Sequence, residues 1–250
     1  MLERFSRWKA ASIHFGLSVV IATALFAAML LVWYPHPYFH AAGGQKLLLL
    51  LIGVDVVIGP LLTLIVFDPR KKNLKMDLAV IVALQLAALV YGATIMFNAR
   101  PVFVAFAGDR FELVEAHAIA AADLELAKPA FRSLPLTGPR VVGTRLPANP
   151  QDRDRLAMAA MVGASIGIFP QHYVPYATVA RDAIARGQPI AKLRTRNAAQ
   201  VADIDAWVAA SGKPEAELRY LPLAARHGDM TVIVAAASGD VLGVLPIDPW

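Results

Sequence analysis

Three long apolar stretches, Ala11–Tyr34, Leu47–Phe67 and Leu78–Phe97, fill most of the first 97 residues of this 250-residue chain. A helix that crosses a bilayer needs about 20 predominantly apolar residues, so each stretch reads as a membrane span. The middle one carries a carboxylate, Asp55, followed by the helix-disturbing pair Gly59-Pro60. An ionisable group inside a span is costly, and for that reason it marks a functional-site hypothesis.

The rest of the chain has a different character. Hydrophobic residues make up 57% of the whole and charged residues 17%, with a mean hydropathy of +0.52, which lies outside the usual range for one soluble domain. The excess is confined to residues 1–97. From Asn98 onward charged residues, prolines and short alternating segments return, as expected of a globular domain. The expected fold is therefore three transmembrane α-helices over 1–97 followed by an α+β domain over 98–250.

Charge and cysteine content narrow the function classes. Residues 1–97 hold eight Lys/Arg against four Asp/Glu, and residues 98–250 hold sixteen against fifteen. The basicity thus belongs to the flanks of the apolar stretches. A nearly neutral second part lacks the basic surface that nucleic-acid binding requires. Cysteine is absent, which excludes disulfides and Cys-based nucleophilic chemistry.

The same flanks predict orientation. Arg4, Arg7 and Lys9 precede the first stretch, and Trp33-Tyr34 closes it at an interface-belt position. The loop at 35–46 has one Lys, whereas 68–77 packs Arg70, Lys71, Lys72 and Lys75 into ten residues. The positive-inside rule then puts the N-terminus and the second loop in the cytoplasm and everything after Asn98 outside. For a bacterial inner membrane that is the periplasm. The first stretch outlasts a signal-peptide core and ends on no cleavage signal, so it is expected to remain as an anchor.

Inside the bilayer, a rise of about 1.5 Å per residue places Asp55 roughly 12 Å and Tyr91 roughly 9 Å from the outer surface. The two could meet across facing helices. Asp55 is accordingly read either as a polar fastening within the bundle or as a contact for a partner's transmembrane helix. Gly53, Gly59 and Pro60 allow a bend or a close helix approach, tolerated where neighbours satisfy the freed carbonyls.

In the second part, residues 102–106 and 110–114 alternate around the turn Ala107-Gly108-Asp109 as a hairpin. Helices are predicted at 120–127, 151–163, 176–186 and 198–210, the second introduced by the N-cap Asn149 and Pro150. Strands are predicted at 141–145, 218–223, 230–236 and 241–245. No P-loop, nucleophile elbow or dinucleotide fingerprint is present, and the six histidines show no ligand spacing. Ser165, Tyr173 and Tyr176 have no evident base beside them. No catalytic, cofactor or metal site is expected. Arg181, Arg186, Arg194 and Arg196, with Lys192, form a basic patch that suits either an acidic partner or a solvated face. Trp250 is a candidate partner contact, or the end of a strand tucked against the core.

Several segments carry a family resemblance: VDVVIGPLLTLIVF (54–67), KKNLKMDLAVIVALQLAALVYG (71–92), RPVFVAF and DRFELV (100–106 and 109–114), and DMTVIVAAASGDVLGVLPIDPW (229–250). They resemble the type IV pilin accessory proteins of the TfpX/TfpZ type. That resemblance implies a non-enzymatic, chaperone-like inner-membrane factor that stabilises a cognate major pilin and assists pilus assembly. It carries over no site residue. A subunit of another envelope assembly or secretion machine, or a pilin- or glycan-modifying periplasmic enzyme, remains the alternative.

Overall fold

The structure, a computed structural model, describes residues 6–250, with the side chains of 46, 47, 50 and 51 excepted; Arg4 lies outside the described residues. The chain divides into two compact units, Met1–Trp33 with Gly43–Asn98 and Tyr34–Ala42 with Ala99–Trp250.

The first unit is helical. Helix α1 (Arg7–Ala28) starts at Ser6, whose side chain accepts from the Lys9 backbone N–H, and runs on through a π-helical turn at Met29–Trp33. Past a short helix α2 (Tyr38–Ala41), which belongs to the other unit, come α3 (Gly44–Ile52), a π-helical turn at Gly53–Ile58, and α4 (Gly59–Val66). Helix α5 (Leu74–Asn98) completes the unit. Among the described residues two helices, Arg7–Trp33 and Leu74–Asn98, are long and apolar enough to cross a membrane. Where the sequence suggests a third span equivalent to the other two at 47–67, the structure has a composite segment of α3, the π-helical turn and α4, within which Gly53–Val66 is a shorter apolar helix among the described residues. The segment departs from a regular α-helix at the π-helical turn, which Gly53 opens and which Gly59 and Pro60, the latter with no N–H to give, follow.

The second unit is an α+β domain. It comprises β1 (Pro101–Phe106), β2 (Phe111–Glu115), α6 (Ala121–Leu126), β3 (Arg140–Thr144), α7 (Pro150–Met161) and β4 (Tyr173–Val174). There follow α8 (Ala180–Arg186), β5 (Gln188–Pro189), α9 (Ile190–Arg196), α10 (Val201–Ser211), β6 (Leu218–Ala224), β7 (Met230–Ala235) and β8 (Val241–Leu245). The sheet order is β4-β3-β1-β2-β6-β7-β8, with β5 added on β6. The β1/β2 hairpin is antiparallel, while β3 joins β1 and β6 joins β2 in parallel.

All six residues of β1 are buried. Val104 and Phe106 point into a core with Phe111, Leu221, Leu223, Val232 and Val234. Phe103 and Ala105 point the other way, against Val114, Phe131 and Tyr173. Alternation here separates two buried faces, because helices and loops cover both sides of the central strands. The segment expected as a free outer loop is part of this domain: Ala41 and Tyr38 pack into the first core, and the His227 N–H donates to the Ala41 carbonyl at 3.1 Å. Tyr34, expected at an interface belt, is fully buried in the domain with its ring edge-on to Phe39.

Candidate functional site

Five polar residues of the helical unit, His14, Ser18, Asp55, Thr63 and Gln85, line one cavity beside the π-helical turn. Its register accounts for Gln85. In that turn the Gly59 N–H reaches back five residues to the Val54 carbonyl, so the next donor, for the Asp55 carbonyl, would be residue 60. Residue 60 is proline. Gln85 on α5 supplies the missing bond, its Nε2 donating to the Asp55 carbonyl at 3.2 Å. Gly59 makes room for it, since a Cβ there would collide with the Gln85 amide. Gly53, Gly59 and Pro60 are thus a device for admitting a side chain from a neighbouring helix.

Below this bond, His14 Nδ1 and Thr63 Oγ1 are hydrogen-bonded at 2.6 Å between α1 and α4. The Asp55 side chain is 7% exposed, and neither of its carboxylate oxygens has a hydrogen-bond partner among the described residues. The Gln85 Oε1 atom is likewise buried and unpartnered there. The cavity, of about 370 Å³, lies against these groups, lined by Ser18, His14, Asp55, Thr63 and Gln85 and otherwise by apolar side chains.

Tyr91 is not part of the arrangement. Its side chain is 70% exposed on α5, so the anticipated Asp55–Tyr91 contact does not form. Two residues at matching depth on facing helices also need the same rotational setting to meet, and Gln85 has it where Tyr91 does not. His14, Thr63 and Gln85 escaped the sequence reading since each is an isolated polar residue in an apolar run. Only the helix packing collects them.

In the α+β domain the polar groups are largely occupied with the fold. Arg194 is held by Asp205 and by Glu215, each at 2.7 Å. Arg196 donates to the Pro249 carbonyl at 2.7 Å, and Asn197 to that of Asp248 at 2.8 Å. Of the basic patch, therefore, two arginines secure the domain and its C-terminus, whereas Arg181 and Arg186 are exposed. Trp250 donates through Nε1 to Asp229 at 2.7 Å and is 55% exposed. Ile247 just before it is buried.

Ser165 does have a carboxylate beside it: its hydroxyl donates to Glu112 and accepts from the Gly167 N–H at 3.1 Å. Tyr173 and Tyr176 donate to the carbonyls of Gly167 and Gly239. The bonds of Glu112 and Tyr173 fasten the loop at 165–167 to β2 and β4, and that of Tyr176 joins the turn at 176–178 to that before β8. Glu115 is the domain's buried carboxylate, with Arg226 Nε and His117 Nε2 each at 3.4 Å. Burial pushes its pKa up, against the opposing pull of Arg226, His117 and His227. Among the described residues, no group of three or more His, Asp or Glu side chains could hold a metal ion.

Comparison with known proteins gives the family to which this α+β domain joined to a unit of long apolar helices belongs. A family model described as "Fimbrial assembly protein FimB" matches residues 3–43. The fimbrial assembly protein of serogroup E1 from Dichelobacter nodosus is 31% identical over 245 residues, covering 97% of this chain and 95% of the relative. The serogroup I protein of the same organism is 30% identical over the same extent. A third, of serogroups C1 and C2, is 41% identical over 108 residues, 42% of this chain and 82% of the relative. The chain belongs to this fimbrial assembly protein family, a type IV pilus assembly accessory family, and has a role in pilus assembly. No solved structure matches it.

Proposed function

We propose that the chain is a non-enzymatic factor of the bacterial inner membrane that holds a cognate type IV pilin subunit before or during its incorporation into the pilus. The observation that carries this reading is the apolar surface of the helical unit. Only 17% of the most apolar window of Arg7–Trp33 is buried, and 6% of that of Leu74–Asn98. A core helix of a soluble protein would bury most of such a window, so this surface calls for lipid or for the apolar helix of a client. With α3 and α4 as a third, π-interrupted crossing, the basic loop around Arg70–Lys75 faces the cytoplasm and the α+β domain the periplasm. A pilin subunit then meets two surfaces of one protein, which raises avidity without a tight single contact.

Co-purification from solubilised membranes tests this directly. The tagged chain is expected to retain the fimbrial subunit encoded with it, and a strain lacking the chain should lose surface pili while keeping the subunit transcript. If piliation were normal without it, or if no subunit adduct formed from either unit after crosslinking, the proposal would fail.

A further inference from the structure

The cavity beside Asp55 is lined in part by exposed side chains. Among its lining residues Ile13 and Leu17 of α1 are 60% and 59% exposed, and Val82 and Leu86 of α5 are 48% and 52% exposed. These four form the two rims of a groove whose floor is the π-helical turn and α4, against which both α1 and α5 pack. On that floor a carboxylate is nine-tenths buried with both oxygens unpartnered among the described residues. Of the polar groups that line the cavity, the Gln85 amide nitrogen donates to the Asp55 carbonyl and His14 is bonded to Thr63, and none is bonded to the carboxylate. A buried acceptor left in that state is costly.

The missing donor cannot come from a lipid headgroup. Asp55 is eight residues from Leu47 and twelve from Phe67, so it lies about 12 Å and about 18 Å from the two ends of the apolar stretch at about 1.5 Å per residue. An acyl chain would fill the apolar rims but offers no hydrogen. A polypeptide helix can bring one to that depth, and apolar rims around a polar floor are what such a helix fits.

We infer that this groove receives a transmembrane helix of the assembly client, and that Asp55 accepts a hydrogen bond from a hydroxyl, amide or ammonium group at the middle of that helix. The inference rests on the membrane-embedded reading above and adds where the client helix lies and which chemistry recognises it.

Site-specific photocrosslinking in the intact membrane tests it, with the full-length chain co-expressed with its fimbrial subunit. A photoreactive phenylalanine replaces Val82 on the rim, Tyr91 outside the cavity, or Met161 on the α+β domain. The expected result is a subunit adduct from position 82, at least tenfold more abundant than from position 91, mapped to the subunit's apolar helix. Asp55→Leu should reduce it at least tenfold. Asp55→Asn, which retains an acceptor of the same shape, should reduce it less than threefold, and equal membrane levels of the two variants exclude misfolding as the cause. Replacing the polar residue at mid-depth of the mapped helix by leucine should reproduce the Asp55→Leu loss. Adducts only with lipid or with a second copy of the chain at position 82 would overturn the inference, as would subunit adducts insensitive to Asp55→Leu. Subunit adducts from position 161 with none from 82 would overturn the groove while leaving the proposed function standing. Their absence from both positions would overturn both.

Discussion

At the scale of single residues, the most informative contact is Gln85 with the carbonyl that Pro60 leaves without its donor. Gln85→Leu should weaken the helical unit by about 1–2 kcal/mol, the cost of one buried unsatisfied acceptor, read as lowered thermal stability in detergent. Glu115 offers a second test. Its pKa is raised by burial, so the folded domain favours the protonated acid more than the unfolded chain does. The associated stability is fully present below the ordinary glutamate value and is lost as pH rises through the folded value. Denaturant unfolding followed between pH 4.5 and pH 7.5 should therefore show a smaller loss of stability with rising pH in Glu115→Gln than in the parent. A steeper loss in the variant would contradict the assignment.

Elements show where local rules suffice and where packing intervenes. The Asn149 side chain accepts from the Gln151 N–H at 3.1 Å with Pro150 at the first helical position of α7, so Asn149→Ala should cost about 1 kcal/mol. In the turn before β8, Gly239 has φ +78°, and a Cβ would stand 2.6 Å from the Ala180 carbonyl oxygen. Gly239→Ala is expected to destabilise the domain by about 2 kcal/mol, combining backbone strain with that clash; chemical denaturation measures both changes. Helix α9 did not emerge as a helix in the sequence, because its seven residues read first as a run of cations. Only Ile190 and Leu193 are buried, which is too short a pattern for a helical period to register.

At the scale of the molecule, the absence of cysteine makes topology measurable, since any single introduced thiol is unique. In permeabilised cells Lys213→Cys should react with a membrane-impermeant maleimide, while Lys72→Cys should react only after the inner membrane is disrupted. The reverse pattern would invert the proposed orientation. The C-terminal residues close the domain: Thr231 donates to the Ile247 carbonyl at 2.8 Å, and Arg196 and Asn197 hold the next two. Ile247→Ala is expected to cost about 2–4 kcal/mol, the usual range for emptying a buried aliphatic site.

What the sequence determined by itself is what depends on neighbours along the chain. The apolar runs, the hairpin at 101–115, the Asn149 cap and the strands near 218–245 all follow from hydrophobic period and turn chemistry, which act over a few residues. Tertiary structure alone decided which polar residues meet. Asp55 was conspicuous as a charge in an apolar run, but its association with Gln85, His14 and Thr63, and its separation from Tyr91, depend on how each helix is rotated about its axis. A helix that is apolar all round carries no periodic mark of that rotation. The same holds for Tyr34–Ala42, which belongs to the α+β domain although it lies between apolar segments, since its burial comes from strands more than sixty residues further along the chain.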